Sequence, residues 1–141
     1  ARIINCRLST DLPQTGKLLV FTISVECQPD TPAFRGDLSI SISTLEGAKV
    51  FQIYSTHMGK TFTFSPGITH IEVSIESLPL VSGNYKMNLW LGTGTTPVHW
   101  LEDCMTLRVY PGSLSGDCVV EARGYSVVMP SSWSLVERML V

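Results

Sequence analysis

The sequence predicts an all-β protein, a sandwich of two antiparallel sheets, on three observations. Apolar and polar residues alternate over short stretches along the whole chain, as in strands that bury one face. Gly, Pro, Ser, Thr and Asn cluster between these stretches, where turns are expected. No stretch of useful length has the 3.6-residue period of a helix. A β-sandwich is the fold class that combines these features.

The strands follow from where the alternation starts and stops. They are predicted over residues 2–8, 17–27, 37–44, 49–54, 61–64, 68–76, 84–92, 99–110, 117–123 and 125–129. Five of them have inward-facing sets: Phe21, Ile23 and Val25; Leu38, Ile40 and Ile42; Ile71, Val73 and Ile75; Tyr85, Met87, Leu89 and Leu91; and Met105, Leu107 and Val109. These sets supply the two inner faces of a sandwich, whose sheets pack about 10 Å apart.

The turn before the strand at residues 84–92 identifies the type of sandwich. Pro79 has a fixed φ and Gly83 can adopt a positive φ, so the chain can reverse there. Tyr85 follows at the start of the next strand. A tyrosine in this position, with its hydroxyl bonded to the backbone a few residues upstream, is the corner of immunoglobulin-like sandwiches. We therefore expect an immunoglobulin-like fold.

The chain has 141 residues and is expected to form a single domain over residues 1–141, since about 150 residues bury roughly 70% of their unfolded surface. After Tyr110 a linker-like stretch leads into a tail at residues 117–141. We expect the tail to form a strand pair that can be exchanged with a second copy, giving a homodimer. Trp133 is expected to pack under this tail. The first strand starts directly after Ala1, which suggests a longer parent chain, although removal of an initiator Met or a signal peptide would leave the same end.

Charge and hydropathy argue against two classes of partner. Lys and Arg number 10 against 12 Asp and Glu, without runs, for a net charge of −2. Nucleic acid and anionic membranes require a basic surface, so neither is expected as a partner. Apolar stretches fall well short of the roughly 20 residues that cross a bilayer, so no membrane span is expected.

The four cysteines, Cys6, Cys27, Cys104 and Cys118, are isolated in the sequence. An even number would suggest disulfides in a secreted protein, but no C-x-x-C motif or dense framework is present. We therefore expect free thiols. Cys27 shares the inward phase of its strand and should be a small buried side chain.

Catalytic and cofactor motifs are lacking. The three histidines, His57, His70 and His99, have no nucleophile or metal ligand at a short spacing. His99, Cys104 and Met105 superficially resemble a blue-copper loop, but no second histidine follows the cysteine. No phosphate-binding glycine loop is present. We therefore expect a protein that is not an enzyme and that needs no metal or other cofactor.

A surface of aromatic and amide side chains is the best functional lead. Lys86, Asn88 and Trp90 alternate with inward residues and therefore face outward. An outward tryptophan can stack on the apolar face of a sugar ring, while amide and ammonium groups bond hydroxyls. Gln52 and Tyr54 extend this surface if their strand is a neighbour. The alternative is that Trp90 is covered by a loop, by the tail or by a second subunit.

Two further residues, His99 and Trp100, are candidates for closing the same surface. They follow the polar loop at residues 92–97. A buried core position for Trp100 is the alternative. No sequence motif decides between these positions.

The order of these features resembles a known family: the C-terminal carbohydrate-binding domain of the ATP-binding subunit of O-antigen polysaccharide ABC transporters, the Wzt type. The best motif is Leu-Pro-Leu-x-x-Gly-x-Tyr at residues 78–85. The other matching features are Ile3-Ile4, the turn at residues 45–50, the strand at residues 71–75, Leu107-Arg108-Val109 before Gly116, Gly124-Tyr125 and Trp133. The resemblance extends over nearly the whole chain.

The resemblance implies a non-catalytic, cytoplasmic domain that recognises finished O-antigen, the polysaccharide of lipopolysaccharide, for export. It also implies an upstream nucleotide-binding domain in the parent chain, which would hold this domain at the inner face of the inner membrane. Members can dimerise through exchanged C-terminal strands. Because binding residues differ between members, the resemblance assigns no site residue.

Three other functions fit the residues without the resemblance. A sandwich could act only as an interaction or dimerisation module, with Trp90 buried at the interface. A small glycoside hydrolase would need two carboxylates facing one cleft, which sequence spacing does not identify. A secreted adhesin-type domain would carry disulfides.

Overall fold

Eight strands in two sheets make up half of residues 1–140, the part of the chain that the computed structural model describes. The strands are β1 Arg2–Leu8, β2 Leu19–Cys27, β3 Phe34–Thr44, β4 Lys49–Tyr54, β5 Phe62–Phe64, β6 Gly67–Ile75, β7 Gly83–Thr93 and β8 Thr96–Val109. One 3₁₀ turn, Ser55–Met58, follows β4. Each of the first eight predicted strands is present, with ends that differ by at most three residues.

All strand pairs in the two sheets are antiparallel. The smaller sheet has the order β1-β2-β6. The larger sheet has the order β4-β3-β7-β8, and β5 pairs with one end of β3. The predicted immunoglobulin-like antiparallel sandwich is therefore confirmed.

The hydrophobic core lies between the sheets and is filled by the predicted inward residues. The sets on β2, β3 and β7 are buried throughout, as are Ile71, Leu107 and Val109. Val73, Ile75 and Met105 are only partly buried and pack against the edge of the core. They lie on β6 and β8, which end their sheets, so each of these strands has a neighbour on one side only.

The tyrosine corner is present as predicted. The Tyr85 hydroxyl donates a hydrogen bond of 2.7 Å to the carbonyl oxygen of Val81. Burial raises the pKa of Tyr85, which keeps the hydroxyl protonated as a donor. Gly83 has a φ of 151°, a value that suits a residue without a Cβ.

The tail differs from its prediction. Residues 117–123 and 125–129 do not form strands, and only single bridges occur, between Ser113 and Val119 and between Leu80 and Val127. Two backbone hydrogen bonds hold residues 126–128 against residues 79–81, at 3.0 Å and 2.8 Å. Alternation alone does not make a strand, since a ladder needs a partner along its length. Trp133 does not pack under the tail, because 92% of it is exposed.

The four cysteines are free, as predicted, and Cys27 is buried. Burial raises the pKa of the Cys6 thiol to about 11, and the nearby Cys104 contributes to this shift. Within residues 1–140, no helix is long and apolar enough to cross a membrane.

Candidate functional site

The outer face of the larger sheet carries a groove of about 420 Å³. Ligand pockets commonly measure roughly 300–1,000 Å³, so one or two sugar-sized rings fit there. The groove is lined by Ser39, Ser41, Ile42, Ser43, Lys49, Val50, Phe51, Gln52, Tyr54, Asn88, Trp90 and Trp100. Five of the seven predicted site residues are in this set.

Strand register explains why these side chains meet. Side chains on one face of an antiparallel sheet form rows across neighbouring strands. The register pairs Tyr54 with Ser39 and Ser39 with Trp90, and Trp90 pairs with Trp100. Residues from four strands therefore form one row, which we call the aromatic row. Its serine is small, so the Tyr54 and Trp90 rings on either side can meet above it.

Two rings of the aromatic row, Tyr54 and Trp90, contact each other. The Tyr54 and Trp90 centroids are 5.8 Å apart, and Tyr54 also contacts His57 at 5.1 Å. The Tyr54 hydroxyl donates to the carbonyl oxygen of Gly94 at 3.3 Å, which ties β4 to the β7–β8 turn. Trp100 is 58% exposed, so the alternative of a core position is wrong.

Trp90 is half-buried, and its ring lies over Gly92. A Cβ at position 92 would come within 2.2 Å of the ring. Only glycine therefore leaves room for the indole to lie along its own strand. Within residues 1–140, the ring that stacks on Trp90 is Tyr54 of β4, and no aromatic residue of a loop or of the tail does so.

A second row contains amides and hydroxyls. Ser41 pairs with Gln52 on one side and with Asn88 on the other. The Gln52 amide donates to the Ser39 hydroxyl at 3.1 Å, and Gln52 is otherwise exposed. The Asn88 amide donates to the Ser41 hydroxyl at 3.4 Å. The row thus places hydrogen-bonding groups beside the rings.

Asn88 also supports a bulge in β8. The register passes from Met87–Met105 to Leu89–Leu101, so β8 has two extra residues there. Asp103, in this bulge, has a φ of 50°, which is uncommon for a residue with a Cβ. Its backbone N–H donates to Asn88 Oδ1 at 2.6 Å. Asn88 is therefore a positioning residue for the edge of the groove.

Lys86 lies on the same outer face, in the next row along β7. Its ammonium group is 3.9 Å from an Asp103 carboxylate oxygen. Lys86 does not line the groove itself, but it pairs across strands with Ser43, which does. In the same bulge, burial raises the pKa of the Cys104 thiol, and the Asp103 charge raises it further.

His99 is not part of the groove. It pairs with Leu91 and faces the gap between the sheets, where its Nδ1 accepts the backbone N–H of Ile3 at 2.8 Å. The expectation that it would close the same surface does not match this position. His99 instead connects β8 to β1 across the sandwich.

The serines of β3 were missed by the sequence analysis. Ser39, Ser41 and Ser43 form the floor of the groove, between the rings and amides of β4 and β7. Their signal was present as strict alternation with Ile40 and Ile42. Each serine paired across strands with a candidate residue, but that pairing becomes visible only in the folded sheet.

The site is suited to binding a neutral polar ligand with flat apolar faces. Its lining groups are mainly rings, amides and hydroxyls, and within the described part of the chain Lys49 is the one charged side chain among them. Among residues 1–140, no three His, Cys, Asp or Glu side chains are grouped to hold a metal ion.

The fold and groove define an antiparallel β-sandwich with aromatic side chains on the outer face of its larger sheet. The family model of the Wzt C-terminal domain matches residues 1–120. The chain therefore belongs to the Wzt C-terminal domain family. A comparison with curated proteins finds no significant match.

Solved structures agree with this assignment. A crystal structure of the C-terminal domain of Wzt matches with a TM-score of 0.74 at 17% identity, covering 95% of this chain and 83% of that one. A β-glucuronidase from glycoside hydrolase family 2 matches with a TM-score of 0.54 at 14% identity, covering 79% of this chain but 13% of the enzyme. At such identities the likeness shows the fold alone.

Proposed function

We propose that this chain is a non-catalytic carbohydrate-binding domain that recognises O-antigen polysaccharide for export by an ABC transporter. Membership of the Wzt C-terminal domain family supports the transporter context. The observation that carries the proposal is the groove itself, in which Trp90 and Tyr54 lie beside the amides of Gln52 and Asn88.

In this proposal the domain works as part of a longer chain. An upstream nucleotide-binding domain binds ATP and docks on the membrane-spanning subunits. The carbohydrate-binding domain then lies in the cytoplasm at the inner face of the inner membrane, where the finished lipopolysaccharide glycan is available. The ATPase supplies the energy, and the sandwich supplies selectivity.

The groove offers two kinds of contact to a sugar. The C–H face of a pyranose stacks on Trp90 or Trp100, and the ring gains apolar burial. The exposed amide of Gln52 and the β3 serines exchange hydrogen bonds with hydroxyls. Lys86 extends the polar surface along β7, where it can bond a further hydroxyl.

Replacement of Trp90 tests the proposal. An array of purified bacterial O-antigen polysaccharides identifies the bound glycan, and titration with that glycan gives the affinity. We expect Trp90→Ala to weaken binding by about 30-fold or more, since a central aromatic contact commonly contributes about 2 kcal/mol or more. The melting temperature should change little, because the ring lies on the outer face.

Ile68→Ala is the matched control. Ile68 is an exposed apolar residue on the outer face of the smaller sheet, remote from the groove. Its truncation should leave glycan binding unchanged. Equal losses for Ile68→Ala and Trp90→Ala, or an unchanged affinity for Trp90→Ala, would contradict the assignment of the groove.

A dimerisation module is the second candidate function, and the tail favours it. A run of apolar side chains there is exposed: Tyr125, Met129, Trp133, Leu135, Val136, Met139 and Leu140. A soluble monomer rarely exposes so many large apolar side chains together. Packing of this tail onto a second copy would cover them. Two linked glycan sites would also raise avidity for a repetitive polysaccharide.

Truncation after Met129 tests this second function. The shortened chain keeps the hydrogen bonds of residues 126–128 to the Pro79–Val81 turn and loses most of the exposed apolar residues. Analytical ultracentrifugation should show a dimer for residues 1–141 and a monomer for residues 1–129. The same oligomeric state for both chains would refute exchange through this segment.

A further inference from the structure

Asp37 is a buried carboxylate on β3, next to Ser39 of the groove floor, and one of its two oxygens has no hydrogen-bond partner in residues 1–140. The residue is 6% exposed, and its Oδ1 has no hydrogen-bond partner among the described residues. No cationic side chain in residues 1–140 forms an ion pair with it. A carboxylate oxygen left unbonded in a protein interior is costly, so the position calls for a donor.

Strand register places Asp37 beside the aromatic row. Asp37, Ser39 and Ser41 alternate along β3 and face the same side of the sheet. Asp37 pairs with Gly92, one step beyond the Ser39–Trp90 pair. On the β4 side, the hydroxyl of Ser55 accepts the backbone N–H of Leu38 at 3.1 Å, which holds the 3₁₀ turn against this end of β3.

The Trp90 ring covers this end of the sheet. It lies over Gly92, the residue paired with Asp37. Gly92 has no side chain, so the Trp90 ring is the side chain of β7 that lies over this residue. The Tyr54 side chain also crosses β3 here to reach the Gly94 carbonyl oxygen and contacts the Trp90 ring, so the strip between β3 and β7 opens when the Trp90 ring changes rotamer and Tyr54 moves with it.

We propose that Asp37 contacts the ligand as a hydrogen-bond acceptor, receiving a sugar hydroxyl when the Trp90 ring moves aside. The inference rests on the proposed glycan function and adds to it a residue that determines specificity. A sugar stacked on the displaced ring presents its hydroxyls at its rim, within reach of the sheet below. A ligand lacking the matching hydroxyl leaves the carboxylate unbonded and binds weakly.

The variant Asp37→Asn tests the role of the carboxylate. Asparagine keeps the shape and removes one acceptor and the charge. With the polysaccharide identified on the O-antigen array, we expect a loss of affinity of about ten- to a hundredfold, as for a hydrogen bond to a charged group. The melting temperature should stay the same or rise, because an unpaired buried charge is removed.

Ser74→Ala is the matched control. Ser74 is an exposed polar residue on the smaller sheet, and in residues 1–140 its hydroxyl forms no hydrogen bond with another side chain. In the wild type, the ¹³C resonance of the Asp37 carboxyl should move when the polysaccharide is added. Equal affinities for wild type and Asp37→Asn, or an unmoved resonance on binding, would overturn this inference alone. Absence of binding by the wild type would overturn the glycan proposal as well.

Discussion

The outer faces of the two sheets are built by the same alternation and carry different chemistry. On the larger sheet, rows of rings, amides and serine hydroxyls form a groove. On the smaller sheet, the corresponding rows contain an Arg2–Glu26 ion pair and a 2.7 Å hydrogen bond between Ser24 and His70. Both faces pair polar groups across strands, and the larger sheet adds the Tyr54 and Trp90 rings and the exposed amide of Gln52.

The difference lies in the side chains that flank the paired groups. Polar side chains paired across strands stabilise both sheets, and an amide or hydroxyl that makes one hydrogen bond keeps further donors or acceptors for a ligand. On the larger sheet the small serines keep space between β4 and β7, so the flanking rings and amides stay accessible. Substitutions on the larger sheet should therefore change glycan affinity, whereas substitutions on the smaller sheet should change only the free energy of unfolding.

Asn88→Ala should change both properties, because Asn88 supports the bulge in β8 and also lines the groove. It removes the acceptor that holds the Asp103 N–H in the bulge, so we expect a loss of about 1 kcal/mol in the free energy of unfolding. The edge of the groove should also shift and weaken glycan binding severalfold. Urea denaturation and glycan titration measure the two effects.

Asn84→Ala is the control for this variant, since Asn84 is an exposed amide on the same strand. It should change neither stability nor affinity measurably. If Asn88→Ala behaved like Asn84→Ala, the amide would not support the bulge.

Ser24→Ala should change stability alone. Loss of the hydrogen bond to His70 on the smaller sheet should reduce the free energy of unfolding by about 0.5–1.5 kcal/mol. Glycan affinity should not change, because this face lies on the other side of the sandwich. Urea denaturation and glycan titration measure these two properties. A lower glycan affinity of the fully folded variant would show that the two faces are coupled.

Much of the groove was predictable from strand phase. Alternation with Tyr85, Met87 and Leu89 placed Asn88 and Trp90 outward, and the structure agrees. The same alternation, applied to β8, would have placed His99 and Trp100 on opposite faces of the sheet. Continued back from Met105 and Leu107, the alternation puts His99 inward, because the bulge inserts two residues and preserves the phase.

The tail was predicted less well, for a different reason. Its short alternating segments match strands locally, but in residues 1–140 their backbone bridges and hydrogen bonds reach only residues 79–81 and 112–115. A strand requires a partner, and local sequence does not state whether one is present. The same pattern would suit a strand completed by a second copy.

The sequence alone determined which residues face the core, because burial of one face imposes a period of two on every strand. It also determined the corner, since Pro79, Gly83 and Tyr85 act through local backbone geometry. Only the tertiary structure decided that β4, β3, β7 and β8 are neighbours in that order. Strand order depends on contacts between distant parts of the chain, and these contacts bring Tyr54, Ser39, Trp90 and Trp100 into one row above a buried Asp37.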